Sequence, residues 1–208
     1  MPRLHRESWA KRVSLYPNGS QRKLKSSTYK NLMENKRDLS ISMARANVIV
    51  LFVSIPVFIA QFAIFILSQE VENVGLTFNP VLLMLAVILG IATHEILHGL
   101  GWMVFGHKPL SAVKFGFQWK TLTPYAHLQE PVEVSIYRIG TFMPGFILGI
   151  FPYVLSLLLN DGNLFWFSLF HTAGASGDWL VLWLIRKVKK GTLVEDHPTH
   201  AGCYVLES

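Results

Sequence analysis

From Ala46 to Ser68 the sequence runs for 23 residues without one charged side chain. As a helix rising about 1.5 Å per residue it would reach about 34 Å, enough to cross a hydrocarbon core about 30 Å thick. A helix apolar on every face belongs in lipid or deep in a core. Three further apolar runs follow, at 80–106, 139–159 and 164–185, the last two joined by the short turn Asn160-Asp161-Gly162-Asn163. The expected fold class is therefore an all-α membrane protein with about four transmembrane helices.

Charge placement supports this reading. Only 15% of residues are charged, against roughly 25% in an ordinary soluble domain. Eleven of the nineteen Lys and Arg residues precede Ala46, and Arg186, Lys187, Lys189 and Lys190 cluster after the last apolar run. The segment 69–79 has two glutamates and no Lys or Arg, whereas Lys108, Lys114, Lys120 and Arg138 lie between the second and third runs. Every alternation fits basic loops on the cytoplasmic side, so both termini are expected there, in a multi-pass protein of the cell membrane. The net charge of +6 is accounted for by topology and by anionic headgroups, and no nucleic-acid partner is expected. Three regions result: a basic cytoplasmic leader at 1–45, a membrane domain at 46–190 and a cytoplasmic tail at 191–208. No cleavable signal peptide is apparent, because the first apolar run stands behind a long polar leader. One cysteine, Cys203, excludes an intrachain disulfide and a multi-cysteine metal cluster, and reads as an inert tail residue.

Between the second and third spans, Val113, Phe115, Phe117 and Trp119 alternate with Ala112, Lys114, Gly116 and Gln118, the period of a strand. Residues 121–128 can return as its partner, with Pro124 suiting an edge. Two readings of this β-hairpin stand: an interfacial anchor, or a sheet edge beside an active site that binds an extended substrate.

The second span holds Thr93-His94-Glu95-Ile96-Leu97-His98-Gly99. Histidines four apart share a helix face, close enough for both imidazoles to reach one metal ion. Glu95 is offset around the helix and can reach a water on that ion, which makes it the candidate base. A carboxylate in a membrane span costs at least about 2.5–3.5 kcal/mol on insertion scales, so its presence demands a reason. A pair of packing histidines bonded to a carboxylate is the alternative.

A catalytic zinc normally has three protein ligands and a water. The candidate third ligand is Asp178. His94 and His98 lie 14 and 18 residues past Pro80, and Asp178 lies 14 past Leu164, so spans running the same way place them at similar depth. The small residues 173–177 would let the fourth helix approach the second. A helix-end carboxylate paired with Arg186 or Lys187 is the competing reading. His171 could be a core histidine bonded to Ser168, a transition-state stabiliser or an alternative ligand. Gly145 and Gly149 read as close-packing positions, Pro144 and Pro152 as bends, and His127, His197 and His200 as solvated surface residues.

These motifs together resemble the putative zincin peptidase family of small bacterial membrane proteins, itself similar to the site-two protease class of intramembrane metalloproteases. The resemblance runs from about Ala46 into the tail, including Asp196-His197-Pro198 and Gly202-Cys203-Tyr204. It implies zinc held by His94, His98 and Asp178, Glu95 as base, and hydrolysis of membrane-embedded or membrane-associated peptide substrates. One departure stands out: site-two proteases place the aspartate in a Leu-Asp-Gly context, whereas Gly177 and Trp179 flank Asp178 here. Two other functions are compatible with the residues, a metal or proton carrier using His94, His98, Asp178 and His171, and a silent membrane scaffold with a structural zinc. Oligomeric state is left open.

Overall fold

The structure, a computed structural model, describes Leu32 and residues 34–68, 80–119 and 123–207. Most of the basic leader, the acidic connection at 69–79 and the hairpin tip with Lys120 lie outside the described residues. The first strand, β1 (Arg37–Ser42), runs straight into helix α1 (Met43–Ser68). Helix α2 (Pro80–Gly106) follows, then a two-stranded hairpin of β2 (Val113–Gln118) and β3 (Thr123–Leu128). Strand β4 (Val132–Glu133) leads into one long helical run, Val134–Leu159. That run comprises α3 (Val134–Pro144), a π-helical turn (Gly145–Ile150) and α4 (Phe151–Leu159). Pro152 has no N–H to give the ladder, and the helix widens just ahead of it.

Three helices, Met43–Ser68, Pro80–Gly106 and Val134–Leu159, are long and apolar enough to cross a membrane. Their outward side chains are bare, with Phe52 70% and Leu67 86% exposed, which water would not tolerate over so large a surface. The fourth apolar run is not one continuous helix. It is two helices, α5 (Gly162–Gly174) and α6 (Ser176–Leu184), separated at Ala175, where ψ is −2°. Gly174 and Gly177 flank the break, and a Cβ on either would meet nothing within 4 Å. They weaken the helix rather than admit a neighbour. Close approach is instead made by other glycines: a Cβ on Gly145 would stand 2.9 Å from Ala175 Cβ, and one on Gly149 2.8 Å from Thr172 Oγ1.

The all-α expectation is also corrected. After α6 the chain forms β5 (Leu193–Asp196) and β6 (His200–Leu206), and these complete a four-stranded antiparallel sheet in the order β1-β6-β5-β4. Leader and tail residues meet there, with Leu39 opposite Cys203 and Val194 opposite Val205. Gly202, at φ 126°, lies so close to the Leu39 carbonyl that a side chain has no room. Buried Val132, Val194, Cys203 and Val205 from the sheet pack with Trp102 of α2 and Tyr137 of α3. This core fixes the ends of the helices that carry the site.

Two surface expectations change as well. His197 is buried, its Nδ1 accepting from the amides of Thr199 and His200 at 3.1 and 2.8 Å. His127 lies 3.0 Å from Asp196 Oδ2; His200 is exposed. Lys108, counted among the loop charges, is buried against Glu130 at 3.2 Å and the Pro131 carbonyl at 2.9 Å. Burial pushes its pKa down and the Glu130 carboxylate opposes that.

Candidate metal centre

Helix α2 turns His94 and His98 to one face because they are four residues apart. Their ring centroids are 4.9 Å apart and nearly perpendicular. The break at Ala175 redirects the chain, and Asp178, in the first turn of α6, meets them. Asp178 Oδ2 lies 3.0 Å from His94 Nε2, and Oδ1 lies 3.3 Å from His98 Nε2. One ligand atom from each residue falls within 4.8 Å of the others. Asp178 pairs with neither Arg186 nor Lys187 among the described contacts; Arg186 bonds the Trp183 carbonyl.

The proton inventory of this cluster is informative. His98 Nδ1 is 2.9 Å from the Gly140 carbonyl, which only accepts, so Nδ1 carries the proton and Nε2 presents a lone pair in the neutral ring. That lone pair faces a carboxylate oxygen. Asp178 Oδ2, buried and 3.0 Å from His94 Nε2, has no other hydrogen-bond partner among the described residues. These nitrogen and carboxylate atoms converge on one point, an arrangement that a cation completes, whether a metal ion or the proton of an imidazolium. Tetrahedral donors about 2.0–2.1 Å from zinc lie about 3.3 Å apart, close to both His–Asp separations. The donor set fits zinc.

The orienting contact on His98 depends on two glycines. A Cβ on Gly101 would stand 2.7 Å from the Gly140 Cα, and a Cβ on Gly140 would strike the Trp102 indole. The helices α2 and α3 thus cross in near contact, which brings the Gly140 carbonyl to the imidazole. Trp102 stacks on His98 at 5.7 Å and on Tyr137 at 5.9 Å between centroids. A backbone acceptor leaves no sequence signal, and Gly140 was not singled out.

Glu95 lies beside the histidines, and the backbone amide of Ala126 on β3 is directed at its carboxylate. Phe115 of β2 packs over Gly99, where a Cβ would come within 2.8 Å of its ring. The hairpin therefore lies along α2, with β3 against Glu95. His171 stands apart from the ligand group. Its ring covers Gly90, one turn before His94, and a Cβ there would overlap Nε2. Its Nε2 is buried without a hydrogen-bond partner, while Ser168 bonds the Phe165 carbonyl and leaves the proposed His171–Ser168 bond unmade.

Residues 87–193, just over half the chain, match the model of a family described as "Putative zincin peptidase". The match takes in His94, Glu95, His98 and Asp178, and ends before Asp196. No curated protein matches the chain, and no solved structure does.

Proposed function

The chain belongs to the "Putative zincin peptidase" family, and on that premise we propose that it is an intramembrane zinc endopeptidase. In this reading His94 and His98, through Nε2, and the Asp178 carboxylate hold the ion, with Glu95 as base. The observation that carries it is the convergence of these donors, with His98 Nε2 and Asp178 Oδ1 3.3 Å apart and no hydrogen-bond partner for Oδ2 other than His94 among the described residues. Bound zinc polarises a carbonyl and lowers the pKa of a coordinated water to about 7.

Glu95 then has two tasks. It takes a proton from the attacking water as oxygen bonds to the scissile carbonyl carbon, and it delivers that proton to the amine nitrogen as the C–N bond breaks. The Ala126 amide holds the carboxylate for both. A peptide bond within a helix hides its carbonyl in the i−4 ladder, so a membrane-embedded substrate must be extended locally before that carbonyl can be attacked.

Sidedness has its own support. Strand β1 precedes α1 and pairs with β6, which follows α6, so both ends of the membrane domain lie together and the number of crossings is even. The broken pair α5–α6, from Gly162 to Leu184, then acts as a fourth crossing beside the three long helices. With the basic flanks, this favours cytoplasmic termini. The substrate is proposed to be a membrane protein or a membrane-associated peptide. A carrier would need His171 joined to the cluster, and His171 is not in the ligand group. The test is cleavage of a single-span reporter in proteoliposomes by wild type and Glu95→Gln. Zinc-dependent cleavage by wild type alone supports the reading, and equal cleavage by both overturns it.

A further inference from the structure

Strand β3 carries two carboxylates on one edge. Leu128, opposite Val113 in the hairpin, sends its amide outside the hairpin to Asp196, so by antiparallel alternation the amide of Ala126, opposite Phe115, faces outward too. The outward amide of Ala126 is directed at Glu95. The next outward amide, Leu128, donates to Asp196 Oδ2 at 3.2 Å. Pro124, the preceding outward position, has no amide proton.

Asp196 is the last residue of β5, in the tail, beyond the matched segment 87–193. Its carboxylate gathers three donors on a largely buried side chain: the Leu128 amide, His127 Nδ1 at 3.0 Å and the Tyr137 hydroxyl at 2.8 Å. The β5–β6 pairing holds it in place, with Asp196 opposite Cys203. Tyr137 anchors it to α3. The tail sheet thus grips β3 two residues from the amide that holds the base.

We propose that Asp196 is a positioning residue for Glu95, acting through β3: the tail carboxylate sets the height of the Ala126 amide over the site. The role differs from structural support, because all four atoms at the metal point, on His94, His98 and Asp178, are untouched by it. The proposal rests on Glu95 being the base of the reaction proposed above.

Asp196→Asn is the discriminating variant. Its amide oxygen still accepts from Tyr137, but the NH2 group cannot accept from Leu128 or His127. Full-length protein in proteoliposomes is expected to lose at least about tenfold in kcat, with KM within about twofold and zinc content unchanged. The visible spectrum of the cobalt-substituted protein is expected to stay as in wild type, since the ligands do not move. Hydrogen exchange read by mass spectrometry supplies an arm that needs no activity. The segment 123–128 should exchange about tenfold faster in the variant while α2 and α3 keep their wild-type rates. Unchanged exchange in 123–128 overturns the proposal. So does a kcat within twofold of wild type, or a fall in kcat that merely follows lost zinc or a shifted cobalt spectrum. Absence of any wild-type cleavage would instead strike the peptidase reading, and the exchange result would still decide whether Asp196 holds β3.

Discussion

When its ring is neutral, His98 meets Asp178 acceptor to acceptor, with Nε2 3.3 Å from Oδ1 while Nδ1 is committed to the Gly140 carbonyl at 2.9 Å. Two lone pairs at that distance repel unless a cation lies between them. The helix crossing at Gly101 and Gly140 creates this state by bringing a carbonyl to the far side of the imidazole. Metal-binding histidines are commonly held in this way, with the second nitrogen donating to an oxygen.

Glu95→Gln removes the proposed base and keeps the shape. Loss of a general base costs about 10²–10⁴ in rate, so kcat in the reporter assay should fall by about that factor with zinc still bound. A variant within threefold of wild type would remove Glu95 from the chemistry.

Gly101→Ala tests the crossing. The added Cβ would meet the Gly140 backbone at 2.7 Å, which cannot rotate away. Overpacking of this kind costs about 1–3 kcal/mol, and the Gly140 carbonyl should shift from His98. A lower Tm together with weaker zinc binding is expected. Gly177→Ala, where a Cβ meets open space, should leave both within error or raise Tm slightly.

The Lys108–Glu130 pair closes the turn after α2 in a site where the two side chains are 1% and 6% exposed. Lys108→Met strands the Glu130 charge in that site and should lower stability by about 3–5 kcal/mol. Lys108→Met combined with Glu130→Leu should recover much of the loss. Chemical unfolding of the three variants measures this; a single variant as stable as wild type would contradict it.

Cys203 is buried in the sheet and its thiol is pushed up to about 12, chiefly by desolvation and also by Asp196 and Asp38. At pH 8 about one part in ten thousand is thiolate, far less than for an ordinary thiol near 8.5. The sign follows: lowering the pH suppresses reaction further, and only strongly alkaline solution or unfolding exposes the nucleophile. N-ethylmaleimide at pH 8 should leave the folded protein unmodified by mass and label it fully in denaturant. Stoichiometric labelling of the folded protein within minutes would contradict the burial.

What could be read from the sequence was local or set by the membrane. His94 and His98 share a helix face through spacing alone, with Glu95 offset beside them, and Asp178 follows from its depth in a second apolar run. The hairpin declared itself through the alternation from Val113 to Trp119. The tail sheet did not, because β1 and β6 are short, separated by more than 150 residues, and specified only by mutual pairing. The Ala175 break escaped notice because small residues suit close packing and helix interruption equally. His197 and His127 read as solvated because their partners are backbone amides and an aspartate from distant strands. The grip of Asp196 on β3 was invisible for the same reason.

The most direct test is metal content. Purified wild type, His94→Ala and Asp178→Ala, each in detergent and each checked for a wild-type helical circular-dichroism spectrum, are assayed for zinc by mass spectrometry of the metal. One zinc per chain in wild type, lost on mild chelation from both variants, is the predicted result. Wild type without zinc after reloading, or Asp178→Ala retaining it as tightly as wild type, would contradict the proposed centre.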